Sequence, residues 1–173
     1  AATGAKVDLI EVGQKVLDQR HIANVPPTPY CRVRNSANQS IPDSADTVLT
    51  FDTEVQDPFT MHSTSSNTSR ITIAIRGWYH ITGSVNFPAN ATGIRFLGIK
   101  ATGSINDTIA NTSQSGHATN ENQMQVSTEY LLPANEYVEL TVFQSSGGAL
   151  NSNTNGAIAP NFAVSWISYP VIT

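Results

Sequence analysis

From Tyr30 onward, hydrophobic positions alternate with polar ones in short runs, and turn residues separate the runs roughly every ten residues. Alternation places one set of side chains on one face of a strand. In the run 79–87, the apolar residues on one face are Tyr79, Ile81, Val85 and Phe87. The pattern predicts strands near 30–34, 47–52, 70–75, 78–86, 93–101, 105–110, 124–131, 136–144 and 161–168. Many short strands with such turns predict an all-β sandwich.

The segment before Tyr30 has a different pattern. In 5–21 the apolar residues recur at helical spacing, which predicts a short amphipathic N-terminal helix. The proline-rich run 25–29 predicts a stiff, extended linker. The chain is therefore divided into a helix with its linker at 1–29 and a β-domain at 30–173. The helix is compatible both with a three-stranded coiled stem and with packing on its own domain.

Two stretches, 111–122 and 145–160, are rich in Asn, Ser, Thr and Gly and show no strand pattern. They are predicted to be exposed loops, which is where binding residues commonly lie on a β scaffold. The candidate binding residues are His117, Asn120, Asn122, Asn151, Asn153 and Asn155. Aromatic residues on the strands, Trp78 and Trp166 among them, are interpreted mainly as core.

Composition excludes several classes of partner. The net charge is −4 and the nine Lys and Arg residues form no basic run, so no nucleic-acid partner is expected. No apolar stretch approaches the ~20 residues that span a bilayer, so no membrane insertion is expected. The single cysteine, Cys31, excludes a disulfide framework and favours assembly in a reducing cytoplasm. We interpret Cys31 as a small buried apolar residue.

The sequence contains few groups arranged for catalysis. The four histidines show no metal-ligand spacing, and no nucleophile elbow, phosphate loop or dinucleotide fingerprint occurs. The carboxylates within 43–57 could in principle hydrolyse glycosides or bind calcium, but solvated acidic surface is the simpler interpretation. We therefore expect no enzyme and no cofactor, with calcium as the one metal left open.

Several motifs resemble those of a known family. The run 77–87 resembles the "glycine, any residue, tyrosine" strand of tumour necrosis factor-like and complement globular-head jelly rolls. The strand 93–100, the run 132–140 with its Tyr-Val pair, and the closing aromatic strand 162–167 follow in that family's order. The segments 51–54 and 143–147 are similar to the bacteriophage version of the domain, found in tail-fibre and head-fibre proteins.

The resemblance implies a ten-stranded jelly-roll β-sandwich that packs as a homotrimer. For a phage protein it implies assembly in the host cytoplasm, a place on the virion surface beside other virion proteins, and binding of a host-surface glycan or protein. The alternative is a head, collar or tail decoration protein without receptor binding. An enzyme would need carboxylates facing across a cleft, and a cellular signalling ligand would carry a secretion signal or a collagen-like stalk.

Overall fold

The computed structural model describes residues 27–154 and 159–170. Within these ranges the chain forms twelve β-strands and no helix. The strands are β1 (Tyr30–Arg34), β2 (Ser40–Ile41), β3 (Thr47–Val48), β4 (Thr53–Gln56), β5 (Arg70–Thr72), β6 (Gly77–Phe87), β7 (Asn90–Thr102), β8 (Asp107–His117), β9 (Asn122–Leu132), β10 (Tyr137–Gln144), β11 (Leu150–Asn151) and β12 (Asn161–Ser168).

The strands form two antiparallel sheets. Sheet one has the order β4-β1-β12-β6-β9, and sheet two has the order β3-β10-β7-β8 with β5 also pairing with β10. The short strands β2 and β11 pair with each other. The all-β prediction is confirmed for the described residues, and each of the two main sheets has five strands.

The core lies between the inner faces of the two sheets, and the alternating residues fill it as predicted. Tyr79, Ile81, Val85 and Phe87 on β6 are each at most 2% exposed. Burying a large apolar side chain contributes roughly 1.5–3 kcal/mol. Gly83 lies in the middle of the same face, where an added Cβ would overlap the side chain of Leu140 on sheet two. This glycine therefore sets how closely the sheets approach.

The predicted strand bounds hold best where one face is buried. The bounds of β1 and β12 match the prediction, whereas the predicted strands 47–52 and 70–75 are shorter in the structure. The strands β2, β4 and β11 were not predicted, because two to four residues are too few for a visible alternation.

The prediction of a long loop at 111–122 was wrong. Strand β8 continues to His117 and β9 begins at Asn122, so only the turn 118–121 remains. The reason is that β8 is the edge strand of sheet two and none of its residues is fully buried, so it shows no apolar alternation. The stretch 145–160 also contains a strand, since Leu150–Asn151 pairs with Ser40–Ile41.

The predicted helix at 5–21 and the first part of the linker 25–29 lie outside the described residues. The division of the chain at residue 29 therefore stays a prediction. Residues 27–154 and 159–170 include no helix long and apolar enough to cross a membrane.

Cys31 is fully buried on β1, in agreement with its interpretation as a small apolar residue. Burial raises the pKa of its thiol, and the negative charges of Asp57 and Glu54 raise the pKa further.

Because the thiolate is the reactive form, we expect Cys31 to resist an aromatic disulfide reagent in the folded protein. In guanidinium chloride it should react as fast as a free thiol. Rapid labelling of the native protein, followed spectroscopically, would contradict this expectation.

Candidate functional site

The two predicted polar stretches meet at one end of the sandwich, and a single carboxylate joins them. Glu121 accepts a hydrogen bond from Asn153 Nδ2 at 2.7 Å and another from Asn86 Nδ2 at 2.7 Å. The backbone N–H of Asn153 also donates to the carbonyl of Asn86 at 2.8 Å. Residues far apart in sequence therefore form one surface at this end.

The loop after β1 completes this surface. The backbone N–H and the hydroxyl of Thr154 both donate to Asn38 Oδ1 at 2.9 Å, and the N–H of Ser152 donates to the carbonyl of Gln39 at 2.8 Å. We call the turn 118–121, the segment 151–154 and the loop 35–40 together the polar end. Neither Asn38 nor Glu121 was selected from the sequence, because only the tertiary contacts give these residues a role.

The structure brings most of the sequence-selected residues to the polar end. His117 is exposed at the end of β8, and its Nδ1 accepts the N–H of Asn120 at 3.0 Å, which holds the turn closed. Asn120 is exposed in that turn. Asn151 is exposed on β11 and Asn153 is half-buried beside Glu121. Asn155 lies outside the described residues.

Asn122 differs from the other candidates. Only 5% of it is exposed, and its Nδ2 donates to the carbonyl of Ser115 at 3.0 Å and to Gln114 Oε1 at 3.2 Å. The prediction of Asn122 as an exposed loop residue was wrong, because it begins β9 and its side chain connects β9 to β8. Its role is structural.

A buried arginine lies behind the His117 turn. Arg95 is 0% exposed, and Asn90, near it on β7, pairs with His117. The Arg95 guanidinium donates to the carbonyls of Thr92 and Ile94 at 2.9 and 3.0 Å and to that of Asn90 at 3.2 Å. Burial lowers the pKa of this guanidinium, although arginine stays charged at ordinary pH. It fixes the irregular start of β7, where the register with β8 shifts.

Several carboxylates of 43–57 accept hydrogen bonds from backbone N–H groups. Asp57 accepts the N–H groups of Met61 and His62 at 2.9 and 2.8 Å. Asp52 accepts both the N–H and the hydroxyl of Ser36 at 2.8 and 2.6 Å. Burial raises the pKa of Asp52, but the hydrogen bonds from Ser36 and Thr53 outweigh this effect and lower it. In residues 27–154 and 159–170, no three acidic, histidine or cysteine side chains are grouped as metal ligands.

The opposite end of sheet one is apolar at its surface. A groove of about 570 Å³ runs beside the edge strand β9, with Trp78, Tyr130 and Leu131 in its wall and Arg76 and Glu129 among its polar lining. We call it the apolar groove. Trp78 is 41% exposed, so its interpretation as a core residue was wrong. It neighbours Tyr79 on β6, and adjacent strand residues point to opposite faces.

Further apolar side chains lie near this groove. Ile167 is 44% exposed and Tyr169 is 67% exposed, and Ser168, between them, pairs with Trp78. The Tyr169 ring packs edge-to-face on Trp166 with centroids 5.0 Å apart. Exposed apolar residues therefore continue from β6 to the end of β12.

Comparison with solved structures decides the fold. The globular domain of the zebrafish complement 1qA protein matches with a TM-score of 0.61 at 12% identity, covering 82% of this chain and 99% of that one. Eiger TNF from S. frugiperda gives 0.61 at 12% identity, covering 84% and 96%. The fold is a TNF-like jelly roll. Murine APRIL matches the same jelly roll with a TM-score of 0.62 at 11% identity, covering 82% of this chain and all of that one.

No protein-family model matches the chain, and no curated protein sequence does. At identities of 11–12% the likeness concerns the fold, which carries many unrelated functions. The role of this jelly roll therefore depends on its own surfaces.

Proposed function

We propose that this jelly roll is a non-enzymatic virion surface protein of a bacteriophage, which works as a homotrimer and binds a host-surface glycan or protein. One observation carries the proposal. Three exposed apolar side chains, Trp78, Ile167 and Tyr169, gather at one end of sheet one, while hydrogen-bonding side chains gather at the polar end. An apolar end suits attachment to other subunits, and a polar end suits contact with a hydrated partner.

Trimer formation would cover the apolar end. Trp78, Ile167 and Tyr169 are each more than 40% exposed, and soluble monomers rarely leave large contiguous apolar patches in water. The edge strand β9 also presents unpaired backbone groups beside the apolar groove. A closed ring of three copies could bury both features without open-ended growth. The family resemblance of the sequence supports the same number of subunits.

The phage assignment rests on sequence similarity to phage fibre domains in the segments 51–54 and 143–147. In this setting the partners would be other virion proteins and a host receptor. The alternative, a head, collar or tail decoration protein, would use the apolar end in the same way and bind no receptor.

The trimer is tested by light scattering on the purified chain. We expect a mass near three times 18.5 kDa. A Trp78→Asp variant should dissociate to monomers at micromolar concentration, because it places a charge in the apolar groove. The matched control is Ile94→Asp, since Ile94 is 47% exposed near the polar end. A wild-type monomer, or a trimer that Trp78→Asp leaves intact, would exclude this subunit contact.

Receptor binding is tested by adsorption. The purified protein should bind host cells and compete with the phage for them. If it trimerises and is found on virions by immunogold labelling, yet neither adsorbs nor competes, the decoration role is the correct one.

A further inference from the structure

The solvent face of sheet two contains a partly enclosed groove of about 340 Å³. Its floor is formed by β10 and β7, and its walls by β3 on one side and the beginning of β8 on the other. We call it the sheet-two groove. The lining residues that matter here are Asp46, Phe96, Lys100, Asp107, Thr108 and Thr141. It is separate from both the polar end and the apolar groove.

An aromatic ring lies along the floor of this groove. Phe96, Gly98 and Lys100 alternate along β7 and therefore share its solvent-facing side. A Cβ on Gly98 would lie 2.9 Å from Cε1 of Phe96 and 3.0 Å from Oγ1 of Thr141. The Phe96 ring thus leans over Gly98, in space that any other residue would fill. Glycine at this position gives the groove a half-buried apolar floor.

Charged groups of both signs line the same groove without neutralising one another. The described residues show no ion pair within 4.0 Å that involves Lys100, Asp46 or Asp107. The Lys100 amine has no hydrogen-bond partner among them, and the Asp107 carboxylate accepts only the N–H of Thr108 at 2.7 Å. Ammonium donors and carboxylate acceptors are therefore both available to a ligand.

The backbone is irregular at the same place. The register between β7 and β8 shifts between Ile99 and Lys100, so β8 has one extra residue beside the groove. Asn106, in the turn that precedes β8, has a φ of 47°. Bulges commonly occur where a strand has to redirect a side chain at a functional site. This bulge sets the positions of Lys100 and Thr108 relative to the floor.

We propose that the sheet-two groove binds one uncharged hexopyranose unit of a glycan. The C–H face of the sugar packs on the Phe96 ring, while its hydroxyls donate to Asp46 and Asp107 and accept from Lys100. The hydroxyls of Thr108 and Thr141 provide further hydrogen bonds. The inference rests on the proposed role in receptor binding, and it adds a sugar site on a sheet face to the contact made at the polar end.

The chemistry of the groove disfavours other ligand classes. A wholly apolar ligand would remove three charged groups from water without giving them partners. An acidic sugar would bring its negative charge between two carboxylates that only one lysine balances. The volume lies at the small end of the range for ligand sites, which suits a single sugar ring better than a long oligosaccharide. Affinity for one unit should be millimolar to micromolar, because sugar hydroxyls exchange bonds to water for bonds to protein.

The inference is tested by nuclear magnetic resonance titration with the methyl glycosides of glucose, galactose, mannose and N-acetylglucosamine, and with N-acetylneuraminic acid as the acidic sugar. We expect at least one neutral glycoside to bind and the acidic sugar not to bind. Phe96→Ala, Lys100→Met and Asp107→Asn should each weaken binding at least fivefold. The matched control is Arg34→Ala, at an exposed position on β1 of sheet one, which should leave binding unchanged. Asn120→Ala tests the polar end as the alternative sugar site. Melting curves establish whether each variant is folded. If one variant does not fold, the other two still test the site.

The outcomes separate this inference from the proposed function. If neutral sugars bind and only Asn120→Ala weakens them, the site is at the polar end and the inference is wrong, while receptor binding stands. If no sugar binds although the trimer adsorbs to host cells, the inference is likewise wrong and the receptor has another chemistry. If the protein neither adsorbs nor binds sugar, both fail.

Discussion

Replacing Arg95 with alanine is expected to lower the free energy of unfolding by about 2–5 kcal/mol. The guanidinium is fully buried and donates to three backbone carbonyls at the irregular start of β7. Its loss leaves the carbonyls of Asn90, Thr92 and Ile94 without these donors, and it opens a cavity between the sheets. The effect should be largest at the polar end, because Asn90 pairs with His117.

The measurement is urea denaturation followed by circular dichroism. The matched control is Arg34→Ala, because Arg34 is exposed on β1 and its removal should change stability by no more than about 0.5 kcal/mol. Arg95→Lys should lie between the two, since one ammonium group cannot reach three carbonyls as the planar guanidinium does. Equal stability of Arg95→Ala and Arg34→Ala would show that the buried hydrogen bonds contribute nothing.

Introducing valine at Gly83 is expected to destabilise the jelly roll by about 3 kcal/mol. The inner face of β6 has no space there, because a Cβ would overlap the side chain of Leu140 on β10. Either the two sheets separate or Leu140 leaves its rotamer, and overpacking of this kind typically costs about 1–3 kcal/mol and sometimes more.

A double variant identifies the cause. Leu140→Ala alone should cost about 2–5 kcal/mol through the cavity it creates. Combined with Gly83→Val it should cost less than the sum of the two single changes, because the valine methyl groups occupy the space that Leu140 vacates. Strict additivity in thermal unfolding would mean that Gly83 is required for its backbone conformation and not for the contact with Leu140.

The sequence predicted the strands that have one buried and one solvated face. In β6 and β10 the apolar residues fall at every second position because the inner faces carry the core, so the alternation is directly visible. Strand β8 has no buried residue, and its Asn, Ser and Gln were therefore predicted to form a loop. Polarity alone does not distinguish a loop from an edge strand whose hydrogen bonds are made by backbone.

The sequence likewise predicted only some of the residues at the candidate sites. The sequence selected Asn120 and Asn153, which the fold brings to one end, but it missed Glu121, which connects Asn153 to Asn86. Arg95 lies inside a predicted strand, yet nothing local indicates that its charge is buried. The sheet-two groove depends on Asp46, which is far from β7 in sequence, so its two walls are recognisable only once the strand order is known.

The arrangement of β1 and β12 also determines how the domain carries mechanical load. They are antiparallel neighbours, with Tyr30 beside Ser165, so the two ends of the described chain leave sheet one on the same side. Tension between these ends acts first on the hydrogen bond from the Trp166 N–H to the Pro29 carbonyl, 2.9 Å long, and then on each following pair in turn. Bonds loaded one at a time yield at lower force than bonds sheared together. Tension applied between residues 29 and 168 would therefore unzip β1 from β12 while the sheet-two groove, built on other strands, stays intact.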